Sequence, residues 1–134
     1  MMGEVTQGLD RKNLIFAVFS AAYIAGIFLF AGSSAVSTLS DLNPCSLLHI
    51  PLYGVLTALL LFSIIPFRLQ GMGAGMATGR LPIAGLIALL VGMADEYYQF
   101  FIPGREASLT DVFLDAGGIA LTLLLFFWLY KKGK

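Results

Sequence analysis

Residues 81–130 read LPIAGLIALLVGMADEYYQFFIPGREASLTDVFLDAGGIALTLLLFFWLY. Two mostly apolar segments, 81–101 and 109–130, each about the 20 residues that cross a bilayer core, meet at a polar centre. Five of the chain's eight acidic residues fall in that centre: Asp95, Glu96, Glu106, Asp111 and Asp115. Arg105 is the one base among them. Pro103 and Gly104 form a turn signal, so the stretch reads as helix, turn, helix. It predicts a membrane hairpin with oily stems and a charged tip. What needs explaining is why some of the acids sit beneath that tip.

The same pattern extends upstream. Two further apolar segments, 13–31 and 46–65, have the length of a span, the second interrupted by Pro51. With 81–101 and 109–130 they make four. The chain has 134 residues, 58% hydrophobic and 12% charged, with mean hydropathy +0.87. A soluble domain carries about 25% charged residues; a chain this short with half that figure cannot cover itself with polar surface. The expectation is an all-α polytopic membrane protein: one four-helix bundle over 13–130, with tails at 1–12 and 131–134. The first segment follows Arg11 and Lys12, as a signal peptide would, but its apolar run exceeds the about 7–15 residues of a signal core. A retained helix is expected.

Charge then sets direction. With four spans the N-terminus, the 66–80 connection and the C-terminus share a side. That side carries Arg11, Lys12, Arg68, Arg80, Lys131, Lys132 and Lys134, whereas the other carries Arg105 alone. The positive-inside rule makes both termini cytoplasmic, with Trp128 and Tyr130 as interfacial anchors. Zero net charge leaves no footprint for nucleic acid. A single cysteine, Cys45, excludes an intramolecular disulfide framework, and one histidine, His49, excludes a multi-histidine metal site. The run GMGAGMATG at 71–79 lacks the GK[ST] of a phosphate loop and reads as a glycine-rich linker.

The acids sort by position. Ser108 and Asp111 fit S-x-x-[DE], a capping box opening the fourth helix, and Glu106 reads as a solvated loop charge. Asp95 lies six residues before Phe101, about 9 Å below the expected helix end, where a carboxylate opposes the helix dipole. Asp95 and Gln99 share a face at i, i+4, with Glu96 turned about 100° away. Asp111, Asp115 and Gly118 form a second stripe. His49 begins the second helix at the same end, with Tyr53 one turn further in. Charged groups at membrane depth face a bundle interior or a watery cavity. His49, Asp95, Glu96, Gln99, Arg105 and Asp115 are therefore expected to converge in one outward-opening pocket. Its carboxylates outnumber its bases, so a cation, a cationic ligand or protonation must balance them. The competing reading is an ion network that only fastens the third and fourth helices. Ser63, Thr57 and Thr122 make too weak a trail for a route across the membrane.

The pattern of Asp95-Glu96, Gln99, Pro103-Gly104-Arg105, Ser108, Asp111, Asp115 and Gly118 resembles the signature of the VanZ-like family of small bacterial membrane proteins. His49 and Tyr53 match the family's polar pair in an earlier helix, and the resemblance runs from about residue 44 onward. The chain departs from it in having Asp115 where an asparagine is frequent, and no lysine shortly before His49. The resemblance implies the bacterial cytoplasmic membrane and a setting of resistance to the glycopeptide teicoplanin. It gives no reaction.

Two functional expectations follow. In the first, the protein handles a lipid-linked or cell-wall head group. Glu96 or Asp95 acts as general base and His49 as its acid or base partner. Arg105 holds phosphate or a developing anion, and Gln99, Asp111, Asp115 and Tyr53 complete the ligand-binding wall. Metal-assisted chemistry would use Asp95, Glu96, Asp115 and His49, an oxygen-rich set suited to Mg, Ca or Mn. In the second, a non-catalytic binding or scaffold protein presents the same acidic cluster to a glycopeptide or cationic peptide.

Overall fold

The computed structural model describes residues 10–34, 43–65 and 74–132. Most of the N-terminal tail, Arg68, Lys134 and the linker up to Gly73 lie outside the described residues. Helix α1 is Arg11–Ala31; a 3-10 turn, Asn43–Leu48, leads into α2, His49–Ile64. A one-turn helix, Ala74–Thr78, precedes α3, Leu81–Gln99, and α4 is Leu109–Lys132. Four helices are long and apolar enough to cross a membrane, the second counted from Ser46 to Ile64. Pro51 does not break α2. It falls in the first turn, where its missing N–H would have no helical partner anyway. Helix α3 ends at Gln99, two residues short of the expected 101, so Asp95 lies about 6 Å from its end.

One end of the bundle is closed by side chains that cap α2. Asn13, fully buried, donates through Nδ2 to the carbonyls of Phe62 and Ile65, both at 2.8 Å. Its Oδ1 accepts the Asp10 N–H at 3.1 Å. Arg80 Nη1 donates to the Ile64 carbonyl at 2.6 Å. The last carbonyls of a helix have no intrahelical partner, and in an apolar surround each would be costly to leave bare. Two residues from outside α2 thus fasten its end to α1 and to the start of α3.

Helix α2 is the central element and packs against all three others. Tyr53, Leu56, Thr57, Leu60 and Leu61 are buried along it, facing Ala84 and Ala88 of α3 and Ile119 of α4. The outer faces are apolar instead: Phe19, Leu29, Leu86, Leu90, Phe113, Leu121 and Leu124 are exposed. Large apolar residues facing outward, with the small Ala84, Ala88 and Gly118 among those packed between helices, fit a bundle solvated by lipid. Helices α2 and α4 approach closely at Gly118, where a Cβ would overlap the Ile50 carbonyl. Thr122 Oγ1 donates to the Gly54 carbonyl at 3.2 Å one turn further along the same seam.

Candidate functional site

At the opposite end from the Asn13 cap, three helix termini meet: the start of α2, the end of α3 and the start of α4. The turn joining α3 to α4 places Gly104 at φ 80°, a left-handed conformation that glycine adopts without strain. This turn sets α4 antiparallel to α3 and faces two stripes of polar residues towards each other beneath the apolar rim.

Asp95, Glu96, Gln99 and Asp115 are all buried. His49 Nδ1 lies 2.8 Å from Asp115 Oδ1, and its Nε2 lies 3.9 Å from Asp111 Oδ2. An ionised Asp115 can only accept, so Nδ1 is the donor in this bond; in the neutral imidazole the Nε2 lone pair would then turn towards Asp111. Tyr53, with no solvent exposure, stacks beneath the ring at a centroid distance of 6.2 Å and 7° between planes. Its hydroxyl donates to Asp95 Oδ2 at 3.4 Å. The Gln99 amide, one turn on, faces the same carboxylate. Gly92 makes room for this assembly: a Cβ there would stand 2.7 Å from Asp115 Oδ2 and 3.3 Å from the Tyr53 ring.

The capping box expected at Ser108 and Asp111 takes a different form. Glu96 Oε2, from α3, accepts the Ser108 backbone N–H at 2.9 Å. In a local box that acceptor would be the third residue of the helix, Asp111. Because α3 supplies the carboxylate, Asp111 is released from the backbone and turns towards His49. The sequence contained both carboxylates but not the packing that chose between them.

Arg105 is the other departure from a simple ion network. Its backbone N–H donates to the Ile102 carbonyl at 3.2 Å within the turn. Its guanidinium is not within 4 Å of any described carboxylate, and its Nε is buried with no hydrogen-bond partner in the protein. Among the described residues, the other buried side-chain atoms without a partner are Asp95 Oδ1, Glu96 Oε1, Asp111 Oδ1 and Asp115 Oδ2. All of these atoms belong to residues that the sequence singled out. The closest grouping of metal-ligating atoms among the described residues is His49, Glu96 and Asp111, within 4.8 Å of one another. In this grouping Asp111 stands where Asp95 and Asp115 were expected, since Asp115 is engaged by Nδ1 and Asp95 by Tyr53.

Away from this end the polar side chains are consumed locally. Thr57, Ser63 and Ser20 donate to the carbonyls of Tyr53, Leu60 and Phe16. No polar trail leads from the site through the described residues. Sequence reasoning missed Gly92 and the Ser108 N–H. The first was visible as a stripe at helical spacing, Gly85, Ala88, Gly92, Asp95 and Gln99; the second had no signal, since any non-proline backbone offers an N–H.

Fold and site together define a small helical protein with four helices long and apolar enough to cross a membrane, which gathers one imidazole and four carboxylates, three of them buried, at one end. The chain belongs to the VanZ/LLP1 family, whose model matches residues 9–130. The match includes α1, which the signature residues alone did not reach. No curated protein and no solved structure matches the chain.

Proposed function

We propose that this chain is a multi-pass protein of the bacterial cytoplasmic membrane, with both termini inside. On this reading its polar pocket opens outward and receives the head group of a lipid-linked or cell-wall component. Glu96 or Asp95 accepts a proton from that group, the imidazole of His49 relays it, and Arg105 meets phosphate or a developing anion. A contribution to teicoplanin resistance is the physiological consequence that the family suggests. One observation carries the reading. Four carboxylates each keep a buried oxygen with no partner in the protein, and the Arg105 guanidinium pairs with none of them. A network built only to fasten helices would use these groups on one another, because unsatisfied buried polar atoms are costly.

The fastening reading retains one support, the 2.8 Å bond between His49 and Asp115, which ties α2 to α4. A single comparison separates the two. Glu96→Gln keeps an acceptor for the Ser108 N–H but removes the carboxylate. We expect it to abolish protection against teicoplanin in a sensitive host while membrane level and thermal stability stay at wild type. Full protection by that variant and by His49→Ala would overturn the proposal and leave the scaffold role.

A further inference from the structure

We infer that this site holds a divalent transition-metal ion, coordinated by His49 Nε2, Glu96 and Asp111, with Asp115 orienting the imidazole from its far side. The inference rests on the pocket being a working site, and it specifies which groups do what. Three ligand atoms from three helices lie within 4.8 Å of one another. Two ligands on opposite sides of one ion, each at roughly 2.0–2.4 Å, stand about 4–4.8 Å apart. The 3.9 Å between Nε2 and Asp111 Oδ2 is therefore a separation that one ion bridges with little movement.

Acidic residues close together do not make a metal site, and two further features point to a ligand here. Glu96 is only 6% exposed, yet its Oε1 has no partner in the protein while Oε2 holds the Ser108 N–H. Asp111 Oδ1 is likewise buried and unpartnered. The imidazole is also presented as a ligand. Metal-binding histidines almost always donate their other ring N–H to a carboxylate or carbonyl, and Asp115, 1% exposed, takes Nδ1 at 2.8 Å. Gly92 leaves room for that carboxylate.

The donor set selects the ion. Mg and Ca prefer oxygen alone, while imidazole suits Zn, Fe, Ni and Cu. One imidazole with two carboxylates fits Mn2+ or Zn2+ better than Mg2+ or Ca2+. Coordination also divides the labour among the carboxylates: Glu96 is spent on the ion, and Asp95, outside the ligand group, is left as the base. The ion and Arg105 then supply the positive charge for an anionic head group.

The test uses the full-length chain purified in detergent, stripped with chelator and titrated with Mn2+ while the free-ion electron paramagnetic resonance signal is followed. Helicity and gel-filtration profile are checked for each variant. We expect one Mn2+ per chain, displaced by Zn2+, which binds such donors more tightly. Asp111→Asn and His49→Ala should each weaken binding by more than about 10-fold, and Asp115→Asn by about 10–100-fold. Glu106→Gln, on the exposed turn, should not change it. Failure of the folded wild-type chain to bind either ion would overturn the inference, as would equal binding by the folded His49→Ala, Asp111→Asn double variant. Because binding is read without substrate, the outcomes separate. Ion binding with full protection by Glu96→Gln removes the functional reading alone; no ion binding with lost protection removes the metal alone.

Discussion

Asp111 and Asp115 lie one turn apart on α4 and both face His49, yet they differ in what they cost to lose. Asp115 is 1% exposed and hydrogen-bonded to Nδ1 at 2.8 Å, whereas Asp111 is 14% exposed and 3.9 Å from Nε2. Removing Asp115 strands a part-buried ring nitrogen, a loss of about 1–3 kcal/mol. Removing Asp111 breaks a longer contact and should cost less than about 1 kcal/mol. Thermal unfolding in detergent, without added metal, should therefore show Asp115→Ala well below wild type and Asp111→Ala close to it. Equal losses would mean that the two carboxylates share the imidazole and that the asymmetry drawn from the geometry is wrong. Gly92→Ala provides a second check from the other side. Its methyl would press on Asp115 Oδ2 and the Tyr53 ring, and crowding of this kind typically costs about 1–3 kcal/mol. Its unfolding midpoint should fall even though alanine is the better helix former.

Among the helices, α2 and α4 set the geometry of the site, and their contact depends on Gly118. Alanine at Gly118 would run into the Ile50 carbonyl, which is backbone and cannot swing away, while alanine at Gly117 would meet nothing within 4 Å. Gly118→Ala should lower the unfolding midpoint markedly. Gly117→Ala should leave it unchanged or raise it, alanine being favoured over glycine in a helix by about 1 kcal/mol. If the neighbouring pair behaved alike, the close crossing of α2 and α4 would be in error. This contrast also separates what the sequence shows on its own from what packing adds. Span lengths and the spacing of Asp95, Gln99, Asp111 and Asp115 were legible because hydropathy and helical period are properties of one segment. Gly118 was visible as part of a stripe, but nothing local marked it off from Gly117. Which acid caps α4 was also hidden: Ser108-x-x-Asp111 is a sound local signal, and a carboxylate from α3 displaced it. The Asn13 cap on α2 was invisible for the same reason, being a contact between segments 49 and 52 residues apart.

For the molecule as a whole, the open question of orientation has a physical answer to test. Among the described residues Arg11, Lys12, Arg80, Lys131 and Lys132 lie at the Asn13 end, and Arg105 lies at the other. Basic residues close to span ends are retained on the cytoplasmic side, so the polar site should face outward. Lys132 stands 4.7 Å over the Trp128 ring, a pairing suited to the water–lipid boundary, where an indole and a long cationic side chain both keep their polar ends wet. The prediction is made on single cysteines in a Cys45→Ser background: Glu106→Cys in the turn and Lys132→Cys at the end of α4. A membrane-impermeant maleimide applied to intact spheroplasts should label Glu106→Cys and leave Lys132→Cys unmodified until the membrane is permeabilised. The reverse pattern would place the acid site on the cytoplasmic face. That would remove outer-leaflet head groups from consideration, while leaving the imidazole, its carboxylates and their capacity for an ion as they are. Orientation thus decides which substrates can reach the site, and the packing of α2, α3 and α4 decides what the site can do with them.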